Sequence, residues 1–104
     1  MDRTEKQAEI FKALSDPTRL RLIKLLNECE PGICKGGPLC VNALANRLGV
    51  TQSAVSQHLR ILRQAGLVRG ERQGSFMHYA IDPKGLDKYK TALRESLGER
   101  IFLE

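Results

Sequence analysis

The twelve residues Thr51–Leu62, TQSAVSQHLRIL, carry the side chains in this chain best suited to chemistry on a partner. At helical spacing Val55, Leu59 and Leu62 gather on one side with Ala54 and Ala65. Ser53, Gln57, Arg60 and Gln64 gather opposite, flanked by Ser56 and Arg63, and no carboxylate is near. Short neutral donors and acceptors, an Arg and no acid are what a helix needs to read base edges in a duplex major groove. Gln can pair bidentately with adenine and Arg with guanine. Thr51 and Gln52 stand at the N-terminal end, where free amides and the helix dipole favour phosphate. Arg63, Arg69 and Arg72 add candidate phosphate contacts. His58, at the edge of the apolar side, is read as a packed or hydrogen-bonded structural residue.

A second group is Cys29, Cys34 and Cys40, spaced C-x4-C-x5-C through a glycine- and proline-rich stretch. The number is odd and the opening MDRTEKQAE is charged, with no secretory signal, so a secreted disulfide scaffold is disfavoured. Three thiolates could converge on arsenite, antimonite or a thiophilic cation. A structural zinc site would normally want a fourth ligand. A reversible disulfide and three unlinked thiols remain open alternatives.

The charge is distributed in a way that favours the first group. Net charge is +5, yet residues 1–30 and 71–104 each hold six basic and six acidic side chains. The excess lies in residues 31–70, where Lys35, Arg47, Arg60, Arg63 and Arg69 face no Asp or Glu. Such a zone admits a polyanion without local repulsion. Exposed Ser and Gln alone are ordinary solvated side chains; their place inside this zone makes them candidates.

At 104 residues the chain is read as one domain, and no apolar run approaches membrane-spanning length, so a cytoplasmic protein is inferred. Periodicity predicts helices over about 5–14, 17–29, 40–48 and 52–65. Asp16 and Pro17 suit the start of the second, Gly49 the end of the third, Thr51 the cap of the fourth and Gly66 its end. The helix, Leu-Gly-Val-Thr, helix sequence has the length and chemistry of a helix-turn-helix. LVRGERQGSFMHYAI predicts a hairpin of strands about 67–72 and 76–81, with His78 a surface or strand-pair residue, and Pro83 ends it. A last helix, about 84–102, carries Leu86, Tyr89, Leu93, Leu97 and Ile101. The expected fold is mainly α with a small β-hairpin, a winged helix-turn-helix in the order α-α-α-α-β-β-α. Phe11 and Leu14 on the first helix join Leu86, Tyr89, Leu93 and Leu97 on the last as the expected homodimer interface. Two reading helices would then lie about one turn of DNA apart.

These features resemble the ArsR/SmtB family of bacterial winged-helix repressors, from about Phe11 to Leu97. ALSDPTRLRLIKLL is similar to that family's second-helix entry, and LANRLGVTQSAVSQHLRILRQAGLVRGERQGSFMHYAI to its recognition helix and wing. The resemblance implies a dimeric winged helix whose grip on a double-stranded operator is weakened by an effector. Arsenic, cadmium and lead sensors of the family open their third helix with CVC; here LCVNAL keeps Cys40 but has Asn42 in place of the second cysteine. The family's Asp/His site on the last helix has no counterpart, since residues 83–104 contain no His. The resulting expectation is a repressor released at Cys29, Cys34 and Cys40 by As(III), Sb(III) or a soft metal, with a thiol-redox response or no effector as alternatives. No phosphate-cradling glycine loop, zinc-protease helix or nucleophile elbow is found, which argues against an enzyme. A winged helix used only for protein contacts would be expected to lose the acid-free polarity.

Overall fold

A computed structural model describes residues 2–28 and 39–98. The elements are α1 (Arg3–Leu14), α2 (Pro17–Glu28), β1 (Leu39–Cys40), α3 (Val41–Leu48), α4 (Gln52–Gln64), β2 (Val68–Gln73), β3 (Phe76–Ile81) and α5 (Pro83–Leu97). This is a helix-turn-helix, α3–α4, followed directly by a wing, β2–β3. None of the described helices is long and apolar enough to cross a membrane.

Local chemistry sets the boundaries. α1 begins two residues before the expected start, because Asp2 and Glu5 form a reciprocal capping box: Asp2 Oδ1 accepts the Glu5 amide at 2.8 Å and Glu5 Oε2 the Asp2 amide at 3.3 Å. Asp16 caps α2 by accepting the Arg19 amide at 3.1 Å, as expected. Gly49 ends α3 at φ +67°, a left-handed conformation that a side chain would strain. α5 ends at Leu97, where Gly98 takes φ +91°, so it is shorter than the periodicity suggested; Ile101 lies outside the described residues.

The sheet has a strand that periodicity did not predict. β1 pairs antiparallel with β3, giving the order β1-β3-β2, with Leu39 opposite Tyr79 and Cys40 opposite His78. Cys40, expected to open the third helix, instead ends β1 and is the N-cap residue of α3. In the wing, Val68 pairs with Ile81 and Gln73 with Phe76 around Gly74 and Ser75.

The core lies where α2, α3, α4 and the base of the wing meet. Leu22, Leu44, Val55, Leu59, Leu62 and Leu67 are almost completely buried. On α2, Leu22 and Leu26 take the inward positions one turn apart, while Leu20 is exposed. On the outer helices the small residues are innermost: Ala13 on α1, Gly85 and Ala92 on α5. The larger Phe11, Leu14, Leu86, Tyr89 and Leu93 are half-buried, and Leu97 is 62% exposed. Phe11 and Tyr89 meet edge to face within the chain, ring centroids 5.8 Å apart.

Candidate nucleic-acid interface

α4 is anchored from below and pinned at both ends. Val55, Leu59 and Leu62 are at most 1% exposed, which fixes the side that faces inward. Thr51 Oγ1 accepts the Ala54 amide at 3.1 Å. At the other end the Gly66 amide donates to the Arg63 carbonyl at 3.0 Å, with Gly66 at φ +79°. With these restraints Ser53, Ser56, Gln57, Arg60, Arg63 and Gln64 are all exposed, and the helix contains no acidic residue. The polar side singled out from sequence is therefore one continuous solvent-facing surface.

The flanking candidates are placed less uniformly. Thr51 is exposed, with its oxygen engaged as the cap and its hydroxyl hydrogen still able to donate. Gln52 Nε2 donates to Asn42 Oδ1 at 3.0 Å, which ties the N-terminus of α4 to the first turn of α3. The amide keeps a second hydrogen for a phosphate. Arg63 reaches back over the wing toward Gly70. Arg72 is exposed near the wing turn. Arg69 Nε lies 3.5 Å from Glu71 Oε1, both about half exposed, so its charge is partly met within the wing.

Behind α4 a polar cluster joins three helices. Arg19, in the first turn of α2, donates from Nε to the Ala13 carbonyl at 2.6 Å and from Nη2 to the Lys12 carbonyl at 3.3 Å. These are carbonyls at the C-terminal end of α1. Its Nη1 lies 3.3 Å from His58 Nδ1 on α4, and Asp16 Oδ2 lies 3.9 Å from the same ring nitrogen. His58 is thus a hydrogen-bonded structural residue, as its place at the edge of the apolar side suggested. The Arg19 amide is the main influence holding the Asp16 carboxyl below its ordinary value; the Thr18 amide and the Arg19 charge add to it against some desolvation, as does His58 when its imidazole carries a charge. Neither Arg19 nor Asn42 was legible as a site residue, since each meets a partner far along the chain and no local pattern announces such a bond.

Of the three candidate thiols only Cys40 is among the described residues; Cys29 and Cys34 lie outside them. Cys40 is a half-buried free thiol that makes no cap hydrogen bond. Cys40, His78 and Glu71 occupy one row across β1, β3 and β2, which puts their side chains on one face of the sheet. His78 is a strand-pair residue, and its Nδ1 is buried without a partner. Among the described residues no group of three or more His, Cys, Asp or Glu is placed to hold a metal ion. A site of three or more such ligands at Cys40 would therefore need donors beyond those residues.

The sequence model for "Bacterial regulatory protein, arsR family" matches residues 16–69, from the cap of α2 into the wing. An uncharacterised HTH-type transcriptional regulator of Methanocaldococcus jannaschii is 42% identical over 81 residues, 78% of this chain and 83% of that one. The arsenical resistance operon repressor of Escherichia coli is 39% identical over 75 residues, which span 72% of this chain but only 58% of the repressor. A solved structure named as a possible transcriptional regulator for arsenical resistance has a TM-score of 0.70 and 38% identity, covering 86% of this chain and 83% of that chain.

Proposed function

The chain belongs to the arsR family of bacterial regulatory proteins and is a transcriptional regulator rather than an enzyme; on that footing we propose that it binds a double-stranded operator as a homodimer and represses from it. The observation that carries the DNA reading is the solvent-facing row Ser53, Ser56, Gln57 and Arg60 on a capped, acid-free helix whose other side is sealed in the core. Seated in a major groove, that row offers Gln57 to adenine and Arg60 to guanine, with the serine hydroxyls adaptable to either. Thr51, Gln52, Arg63 and Arg72 grip phosphates on either side, and Arg69 does so in competition with Glu71. A DNA-binding regulator of this family acts where the duplex is, and on this reading the protein works in the cytoplasm.

The dimer reading is supported by what α1 and α5 leave uncovered. Their small residues face the core, while Phe11, Leu14, Leu86, Tyr89 and Leu93 are only half-buried and Leu97 is largely exposed. A symmetric partner laid against this surface would remove it from water and set two reading helices on one face of the duplex.

Release from DNA is assigned to Cys29, Cys34 and Cys40, acting on arsenite, antimonite or a soft divalent ion. Cys40 occupies the N-cap position of α3 without a side-chain cap bond, and two residues later Asn42 accepts the hydrogen bond of Gln52 at the head of α4. A thiol link that displaced Cys40 would act on α4 through that bond. It favours release only so far as the effector binds the released form more tightly. The test is operator affinity, on a duplex selected from a random pool, with arsenite, zinc or a disulfide-forming oxidant added in turn. Loss with arsenite or zinc, absent when all three cysteines are changed to serine, supports the reading. Loss with oxidant alone substitutes thiol redox for it, and no response in any arm removes the effector while sparing DNA binding.

A further inference from the structure

The contact between Arg19 and His58 joins the reading helix to the rest of the fold through a bond that depends on one ring nitrogen. A guanidinium can only donate, so Arg19 Nη1, at 3.3 Å, requires Nδ1 of His58 to carry a lone pair. The engaged imidazole is therefore neutral, with its hydrogen on Nε2. Asp16 Oδ2, at 3.9 Å from the same Nδ1, makes the opposite demand: a carboxylate accepts, so it attracts that nitrogen only when it is protonated. The two neighbours compete for one atom, and the proton decides between them.

The placement gives this competition a consequence. His58 directly follows Gln57 and is two residues before Arg60. The buried line Val55, Leu59 and Leu62 holds α4 to the core by apolar packing, which has little directional preference. The Arg19 bond is directional, and Arg19 is itself held by the Ala13 and Lys12 carbonyls at the end of α1. The buried line sets which side of α4 faces outward, and the guanidinium adds a directional restraint on the turn of α4 about its axis, and so on the aim of Gln57 and Arg60.

We propose that His58 is a positioning residue for base recognition, acting through Arg19, and that protonation of its Nδ1 exchanges Arg19 for Asp16 and loosens that aim. The proposal rests on α4 being the DNA-reading helix. Among the described residues the charged groups that meet the imidazole are Asp16, from the α1–α2 junction, and Arg19, from α2. α1 contributes only the carbonyls that hold Arg19, and no hydrogen bond or ion pair joins α3 or β2 to the ring.

The test compares wild type with His58→Leu, which removes the acceptor, and His58→Asn, whose amide oxygen can stand in the place of Nδ1 and does not titrate. Affinity is measured for a selected operator and for a random duplex of equal length, at about pH 7.5 and about pH 5.5, a span in which imidazoles titrate. The ratio of the two affinities cancels the charge that protonation adds. His58→Leu should lose about tenfold in that ratio near pH 7.5, as expected for one lost charge-assisted hydrogen bond, with random-duplex affinity little changed. His58→Asn should restore it. Wild type should lose ratio on acidification while His58→Asn stays level. Should His58→Leu fail to fold, the pH comparison between wild type and His58→Asn still decides. A His58→Leu ratio equal to wild type, or identical pH profiles for wild type and His58→Asn, overturns the positioning role and leaves the DNA reading standing. A wild type with no operator preference overturns both.

Discussion

Gly85 lies directly against the Gly66 carbonyl, so that the first turn of α5 rests on the turn that ends α4. A Cβ on Gly85 would collide with the Gly66 carbonyl oxygen, and would come within 2.7 Å of its carbon and 3.0 Å of Leu67 Cα. All three are backbone atoms and cannot rotate away. Glycine is therefore required for close approach, although alanine is the better helix former. Gly85→Ala should destabilise the chain by about 2 kcal/mol and lower its thermal midpoint by roughly 10 °C. A midpoint that is unchanged or raised would show that α5 is not seated against the Gly66 carbonyl.

Leu59 is 1% exposed on the inward side of α4 and packs in the cluster that includes Leu22, Leu44 and Val55. Leu59→Ala should cost about 3 kcal/mol, the usual loss for a leucine truncated in a close-packed core. Arg60, one residue along, is exposed, so Arg60→Ala should change stability by less than about 0.5 kcal/mol. Urea unfolding of the two variants checks the inside–outside assignment of α4, and equal losses would refute it.

Asp16 makes stability depend on pH in a definite direction. Its carboxyl, held below the ordinary value chiefly by the Arg19 amide, releases its proton more readily in the folded chain than in the unfolded one. The stabilisation is complete above the ordinary carboxylate range and is lost as pH falls through the depressed folded value. Asp16→Asn can still cap α2 but has no charge. The stability difference between wild type and Asp16→Asn should shrink as pH is lowered from about 6 to about 3, read by urea unfolding at each pH. A difference that grows on acidification would contradict the direction of the shift.

The proposed dimer is probed most cleanly at Leu97, which is 62% exposed in the single chain and can be changed without opening the core. Leu97→Glu should raise the dimer dissociation constant by about tenfold or more, because it puts a charge into an apolar contact. Sedimentation across a dilution series measures this, with circular dichroism confirming that the helices persist. Identical association of the two proteins would remove α5 from the interface.

The parts of the fold legible in sequence were those written in local chemistry. Val55, Leu59 and Leu62 share a helical period, Thr51 and Gly66 bracket them, and Gly49 breaks the helix before; α4 and its exposed side follow from these alone. β1 was not legible, since a two-residue strand has no period and its register is set by Tyr79 and His78 on a distant strand. The outer helices misled in a different way. Their apolar stripes named the large residues as a partner-facing surface and gave no sign that close contact selects Ala13, Gly85 and Ala92 for the inside. The polar bonds of Gln52 with Asn42 and Arg19 with His58 are likewise contacts between elements, visible only once the helices are assembled.

Binding titrations over a range of salt check whether the outward side of α4 reads duplex DNA. A selected operator and a random duplex are compared for wild type and for the Gln57→Ala/Arg60→Ala double variant. If about six phosphates are gripped, log affinity for either duplex should fall with log salt at a slope of about −5, and the wild type should favour the operator by roughly a thousandfold or more. The double variant should lose most of that preference while keeping much of its random-duplex affinity. A wild type that binds duplex without salt dependence, or a double variant that keeps the full operator preference, would contradict the account.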